Sequence, residues 1–168
     1  VTDLALDGRG NIIVAGSTAS PDFPTTPDAA DRTCRPDIDA FVQIYSRTGA
    51  LRYSTCLGSE EWEGDFTRVA PAPDGSLWVV SGIAPGHMGG VWLWRIAPGV
   101  PGYRDVIRIG ASHPDAGWAH VAASPDGSAW VAGSTYGRLA VVNALQPTTR
   151  GRTLFLGHFA PGRQTPLV

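Results

Sequence analysis

The chain has 168 residues, enough for one domain with a substantial core, and a hydrophobic content of 43% excludes a disordered chain. A formal charge of −2, with no lysine among the 13 basic residues, leaves no basic stripe to neutralise phosphates and argues against a nucleic-acid partner. No run approaches the roughly 18 apolar residues that a membrane helix needs, so no membrane insertion is expected.

The 21 glycines and 14 prolines make up about a fifth of the residues, which suits many short strands joined by turns. In chain order, the first pattern is Leu4 to Ser17, LALDGRGNIIVAGS: an apolar run, a turn closed by Gly10, then a β-branched run. It returns as VAPAPDGSLWVVSG from Val69 to Gly82 and as VAASPDGSAWVAGS from Val121 to Ser134. The turn glycines Gly10, Gly75 and Gly127 are 65 (75 − 10) and 52 (127 − 75) residues apart, which marks a repeat architecture. A second block, DAFVQIYSRTGALRYSTCLG from Asp39 to Gly58, aligns without a gap on VWLWRIAPGVPGYRDVIRIG from Val91 to Gly110. Arg138 to Gly157 is a weaker third copy.

Each unit therefore holds four strand candidates. They span about 2–7, 11–17, 39–46 and 51–57 in the first unit, and 67–72, 76–83, 90–97 and 103–109 in the second. In the third they span about 119–124, 128–134, 138–143 and 152–157. Pro73-Asp-Gly75 and Pro125-Asp-Gly127 put Pro where φ is fixed and Gly where φ is positive, as tight hairpins require. Four antiparallel strands in about 50 residues make a propeller blade. The expected fold is all-β: a β-propeller segment of three four-stranded antiparallel blades, at about 1–58, 66–110 and 118–157, with 158–168 starting a further blade or forming a tail.

Three segments of the first unit carry a family resemblance: Asp22-Phe-Pro-Thr-Thr26, Asp39-Ala-Phe-Val42 and Tyr53-Ser-Thr-Cys-Leu-Gly58. Together with Gly10-Asn-Ile-Ile-Val-Ala-Gly16 they resemble the bacterial β-propeller repeat called SBBP, across nearly the whole of that unit. Cys56 stands where that pattern has Tyr, and Ser59 where it has a second Gly. The other two units keep only the opening hairpin and the spacing. The resemblance implies an extracellular or cell-surface bacterial protein. Closed propellers have about 4–8 blades, so three imply a piece of a longer propeller or a unit that associates with copies of itself. A chain without an initiating Met or a visible signal peptide fits the first of these.

No catalytic motif is present: no G-x-S-x-G, H-E-x-x-H, Walker loop or C-x-x-C. The four histidines share no metal-ligand spacing, so no catalytic or metal residue is assigned. Asp22, Asp28, Asp31, Asp37 and Asp39 crowd one insertion, and clustered carboxylates can hold Ca²⁺. Without a D-x-D-x-D-G run, and with Arg32 and Arg35 offsetting the charge, a polar loop is expected there, Asp39 caps its strand, and no cofactor is assigned. Cys34 and Cys56 read as two unpaired thiols, with a bridge open if their Cα atoms come within about 4.4–6.8 Å. Trp78 and Trp130 occupy equivalent strand positions and read, with Trp92, Trp94 and Trp118, as core or structural aromatics.

Strands alternate direction, so the loops after the second and fourth strands of every unit leave the same end. Those loops are 18–38, 58–66, 84–89, 110–118, 135–137 and 158–166. They gather Asp28, Asp31, Asp37, Glu60, Glu61, Trp62, Glu63 and His113, with His87, Asp115 and His158 besides, into an expected binding face for a protein or carbohydrate partner. The short-turn end is expected to be inert. Two other readings stay open: a carbohydrate-active or other hydrolase or lyase with its site on the long-loop face, and a structural spacer without a ligand.

Overall fold

The computed structural model describes residues 1–35, 38–58, 66–82, 89–113, 118–136 and 152–163. Those residues form eleven strands in three antiparallel sheets and no helix. The first sheet runs in order β1 (Asp3–Leu6), β2 (Ile12–Thr18), β3 (Asp39–Tyr45) and β4 (Leu51–Leu57). The second runs β5 (Phe66–Pro71), β6 (Leu77–Gly82), β7 (Gly89–Ile96) and β8 (Tyr103–His113). These eight strands fall within a few residues of the expected ones, β8 running furthest past its expected end.

The hairpins form because their turns are locally determined. Gly75 N–H donates to Ala72 O (3.0 Å) and Ala72 N–H to Ser76 O (2.8 Å), with Gly75 at φ +84°. Ser124 to Ser128 repeats the pattern around Gly127, also at φ +84°. This is a type I turn followed by a left-handed residue, a connection that only Gly supplies without strain. The carboxylates of Asp74 and Asp126 take up further turn donors, the N–H and hydroxyl of Ser76 and of Ser128.

The third sheet departs from expectation. It contains β9 (Ala119–Ala123), β10 (Ala129–Tyr136) and β11 (Arg152–Phe159), in the order β9-β10-β11. Arg152–Phe159 was expected as the fourth strand, yet it pairs directly with β10, Trp130 standing opposite His158. The candidate third strand, 138–143, lies outside the described residues. β11 holds the place that β7 holds in the second sheet, where Arg95 stands opposite Trp78. Spacing along the chain locates a strand but not its partner, and this pairing puts the expected fourth strand in the third place.

The sheets stack face to face. Ile13, Ala15, Val42 and Leu57 of the first pack with Val69, Leu77 and Val79 of the second. The opposite face of the second sheet, with Trp78, Val80, Leu93 and Ile107, packs on Ala129, Val131 and Phe159 of the third. The second sheet is thus covered on both faces, which explains the consecutive apolar residues Leu77–Val80 of β6 and Val91–Trp94 of β7. β5 lies at the edge of its sheet, and β1 satisfies its outward backbone: Thr67 N–H donates to Thr2 Oγ1 (3.1 Å) and Val69 N–H to Asp3 Oδ2 (2.8 Å).

Two expectations about tryptophans divide here. Trp78 is fully buried, and its indole N–H donates to Gly127 O at 3.0 Å, across to the third sheet. Trp130, expected to be equally buried, is 37% exposed because it sits on the outer face of the last described sheet. Trp118 is also exposed, although its ring lies 5.0 Å from that of Phe66. Trp94 is buried as expected, and Trp92 stacks beside it at 6.1 Å.

Candidate functional site

In the first two sheets the antiparallel register puts the expected loop ends together. In the third, β11 ends beside Ala129 at the start of β10, so the chain after it leaves the short-turn end and not the expected long-loop end. Thr18 stands opposite Asp39, Ala40 opposite Leu57, and Gly89 opposite His113, so the ends of β2, β4, β6 and β8 emerge on one side of their sheets. Asp37, Glu60, Glu61, Trp62, Glu63, His87 and Asp115 lie outside the described residues. His113 is the last residue of β8. Asp22, Asp28 and Asp31 are carried by the 18–38 loop.

That loop is built as a cover for the free edge of β4. Thr26 N–H donates to Ser54 O (3.0 Å), Ser54 N–H to Thr26 Oγ1 (3.1 Å) and Cys56 N–H to Asp31 O (3.2 Å). An exposed strand edge invites pairing with foreign chains, and this loop occupies it. Asp31 N–H also donates to Thr55 Oγ1 (3.0 Å), while its carboxylate accepts Thr33 N–H. Ala30 N–H donates to the Tyr53 hydroxyl, and burial raises the Tyr53 pKa above its ordinary value. Asp39 is buried and its carboxylate accepts Arg35 N–H (2.6 Å), which agrees with a structural role at the strand start.

Cys34 and Cys56 are disulfide-bonded, with Cα atoms 5.5 Å apart. This corrects the reading of two unpaired thiols. They stand 22 positions apart in sequence, and only the return of the loop along β4 makes them neighbours. The carboxylates of the loop do not converge: no group of three or more His, Cys, Asp or Glu side chains suited to a metal ion occurs among the described residues. Asp22 accepts the Ser20 hydroxyl (2.6 Å), which lowers its pKa.

Two clusters at the short-turn end were not anticipated as such. Arg95 Nη2 contacts Asp74 Oδ2 at 2.6 Å, its Nε donates to Ser76 Oγ, and its guanidinium lies 5.8 Å from the Trp78 ring centre. His158, expected on the long-loop face, instead lies at the short-turn end of the third sheet, because β11 runs back toward the 124–128 turn. Its Nε2 shares a 2.7 Å hydrogen bond with Ser128 Oγ, which in turn donates to Asp126. The His158 ring stacks on Trp130 at 4.3 Å, with planes 5° apart. The signal in the sequence is the repeated P-D-G-S-x-W at 73–78 and 125–130, whose turn and Trp also carry these clusters. A recess of about 420 Å³ beside the first cluster is lined by Asp74, Ser76, Arg95, Pro98, Val100 and Arg104. Within it, Arg95 is already matched by Asp74 and, at 3.8 Å, by buried Asp105.

The Asp74 pKa is lowered, first by the Ser76 hydroxyl and further by Arg95; that of Asp126 is lowered first by the Ser128 hydroxyl. A carboxyl whose folded pKa is depressed contributes stability that is present above its unfolded pKa, near 4, and is lost as pH falls through the folded value. Urea midpoints should therefore drop as pH falls from about 4 toward about 2, and Asp74→Asn should make that acid limb shallower. An unchanged limb in the variant would remove Asp74 from the account. A scan against protein-family models finds no match for this chain, and a search of the curated proteins finds none either.

Proposed function

We propose that the three sheets are consecutive blades of an SBBP-like β-propeller, and that the chain is a non-enzymatic binding or scaffolding module of a bacterial extracellular or cell-surface protein. The observation that carries this is the stacking: each sheet begins with a strand beside the first strand of the next, β1 against β5 and β5 against β9. A blade order of that kind places all first strands along one axis. The Cys34–Cys56 bridge supports an oxidising compartment, where disulfides persist.

The long-loop end is the binding face on this reading, because rigid sheets hold loops of varied polar sequence there. Its partner is a protein or a carbohydrate, met by Asp28, Asp31, Asp37, Glu60, Glu61, Trp62, Glu63 and His113. The test is an array of polysaccharides and surface proteins, probed with the wild-type chain and with Glu60→Ala/Glu61→Ala/Trp62→Ala/Glu63→Ala. Binding that the quadruple variant loses, and that Arg104→Ala at the short-turn end keeps, is the expected result. Binding lost only with Arg104→Ala would move the site to the other end. Release of shortened glycans would favour the hydrolase or lyase reading, and no binding anywhere would favour the spacer.

A further inference from the structure

We propose that the open face of the third sheet docks onto the open face of the first sheet of a second copy of this chain, head to tail. This rests on the propeller reading and names the partner of its two uncovered ends.

The argument comes from how the sheets meet within one chain. Counted from the turn glycines, Ile13, Trp78 and Trp130 are equivalent, and so are Ala15, Val80 and Ala132. On the other face Ile12, Leu77 and Ala129 are equivalent, and so are Val14, Val79 and Val131. Ile13 and Ala15 pack with Leu77 and Val79. Trp78 and Val80 pack with Ala129 and Val131. The same rule is thus used at both junctions: one face of each sheet meets the opposite face of the next.

Among the described residues, two half-junctions are left over. One is Trp130 and Ala132 on the third sheet, flanked by Leu154 and Leu156, which are 84% and 63% exposed. The other is Ile12 and Val14 on the first sheet, flanked by Leu4 and Leu6, which are 63% and 62% exposed. On the β3 side of that second face, Phe23 of the 18–38 loop lies on Phe41 at 4.8 Å. The leftover faces are of the two kinds that already pair twice, so they are complementary to each other and neither to itself. At the junction of the second and third sheets, the Trp78 indole N–H donates to Gly127 O. The equivalent donor on Trp130 would meet the equivalent carbonyl, Gly10 of the second copy.

Such a contact is heterologous, so it closes into a ring or propagates. Two copies of three sheets fall within the roughly 4–8 blades of closed propellers. Sedimentation equilibrium of the full chain over a wide concentration range should show a closed pair of copies. Leu154→Glu/Leu156→Glu and Leu4→Glu/Leu6→Glu, which alter exposed side chains only, should each give monomers. Mixing the two variants should restore a one-to-one dimer, because each retains the face the other lacks. An open series of larger masses abolished by both variants also supports the proposal. A wild-type chain that stays monomeric overturns it, as does association abolished by the third-sheet variant alone. Exchange of the Trp78 indole N–H separates the two readings: slow exchange in a monomeric chain overturns docking and leaves the stack standing. Fast exchange overturns the propeller reading as well.

Discussion

Trp78→Ala should lower stability by about 3–5 kcal/mol, whereas Trp130→Ala, the same change at the repeat-equivalent position, should cost no more than about 1 kcal/mol. The residues differ in what lies above them. Trp78 is fully buried between the second and third sheets and loses an indole hydrogen bond to Gly127 along with its packing. Truncating it leaves a cavity that two hydrogen-bonded sheets cannot easily collapse into. Trp130 is 37% exposed, and its principal contact is the His158 ring stacked on one face. Urea midpoints at constant m-value, measured at low protein concentration, make the comparison. Equal losses would mean that something covers Trp130 in solution. If the gap narrows as concentration rises, the covering element is a second copy.

Local features were legible in the sequence because local chemistry determines them. Asp-Gly at 74–75 and 126–127 selects a hairpin turn whatever surrounds it, so strand positions followed from the turns and the alternation between them. The double-sided burial of the second sheet is legible too: Val91-Trp-Leu-Trp94 is apolar at consecutive positions, and Val91, Leu93 and Trp94 are all buried. What escaped was everything decided by long-range contact. Trp78 and Trp130 have near-identical neighbours, S-L-W-V and S-A-W-V, and differ in whether another sheet covers them among the described residues. Arg152–Phe159 has the composition of a strand, but its pairing with β10 is set in three dimensions. The 18–38 loop shows in the sequence as an acidic, polar connection, but not as the cover of a strand edge. The structure uses its backbone and hydroxyl groups to close the β4 edge, which charge patterning does not reveal.

Removing the Cys34–Cys56 bridge should destabilise the chain by about 3 kcal/mol, the loop-entropy value for a closure of this length. For a chain of this size that corresponds to a melting temperature lower by roughly 6–12 °C. The bridge constrains the unfolded chain across a separation of 22 residues. It also holds the cover of β4 in place together with the Thr26–Ser54 and Asp31–Thr55 hydrogen bonds. Those bonds remain in Cys34→Ser/Cys56→Ser, so the variant should still fold, but exchange of the Ser54 and Cys56-site amides should accelerate as the loop opens locally. Calorimetry with and without reductant gives the same comparison on the unaltered chain, and the reduced wild type should match the double variant. The double variant is the cleaner test, because either single change leaves one thiol free to pair between chains. If reduction moves the melting temperature by less than about 2 °C, the loop is held by its hydrogen bonds alone and the bridge adds nothing to stability.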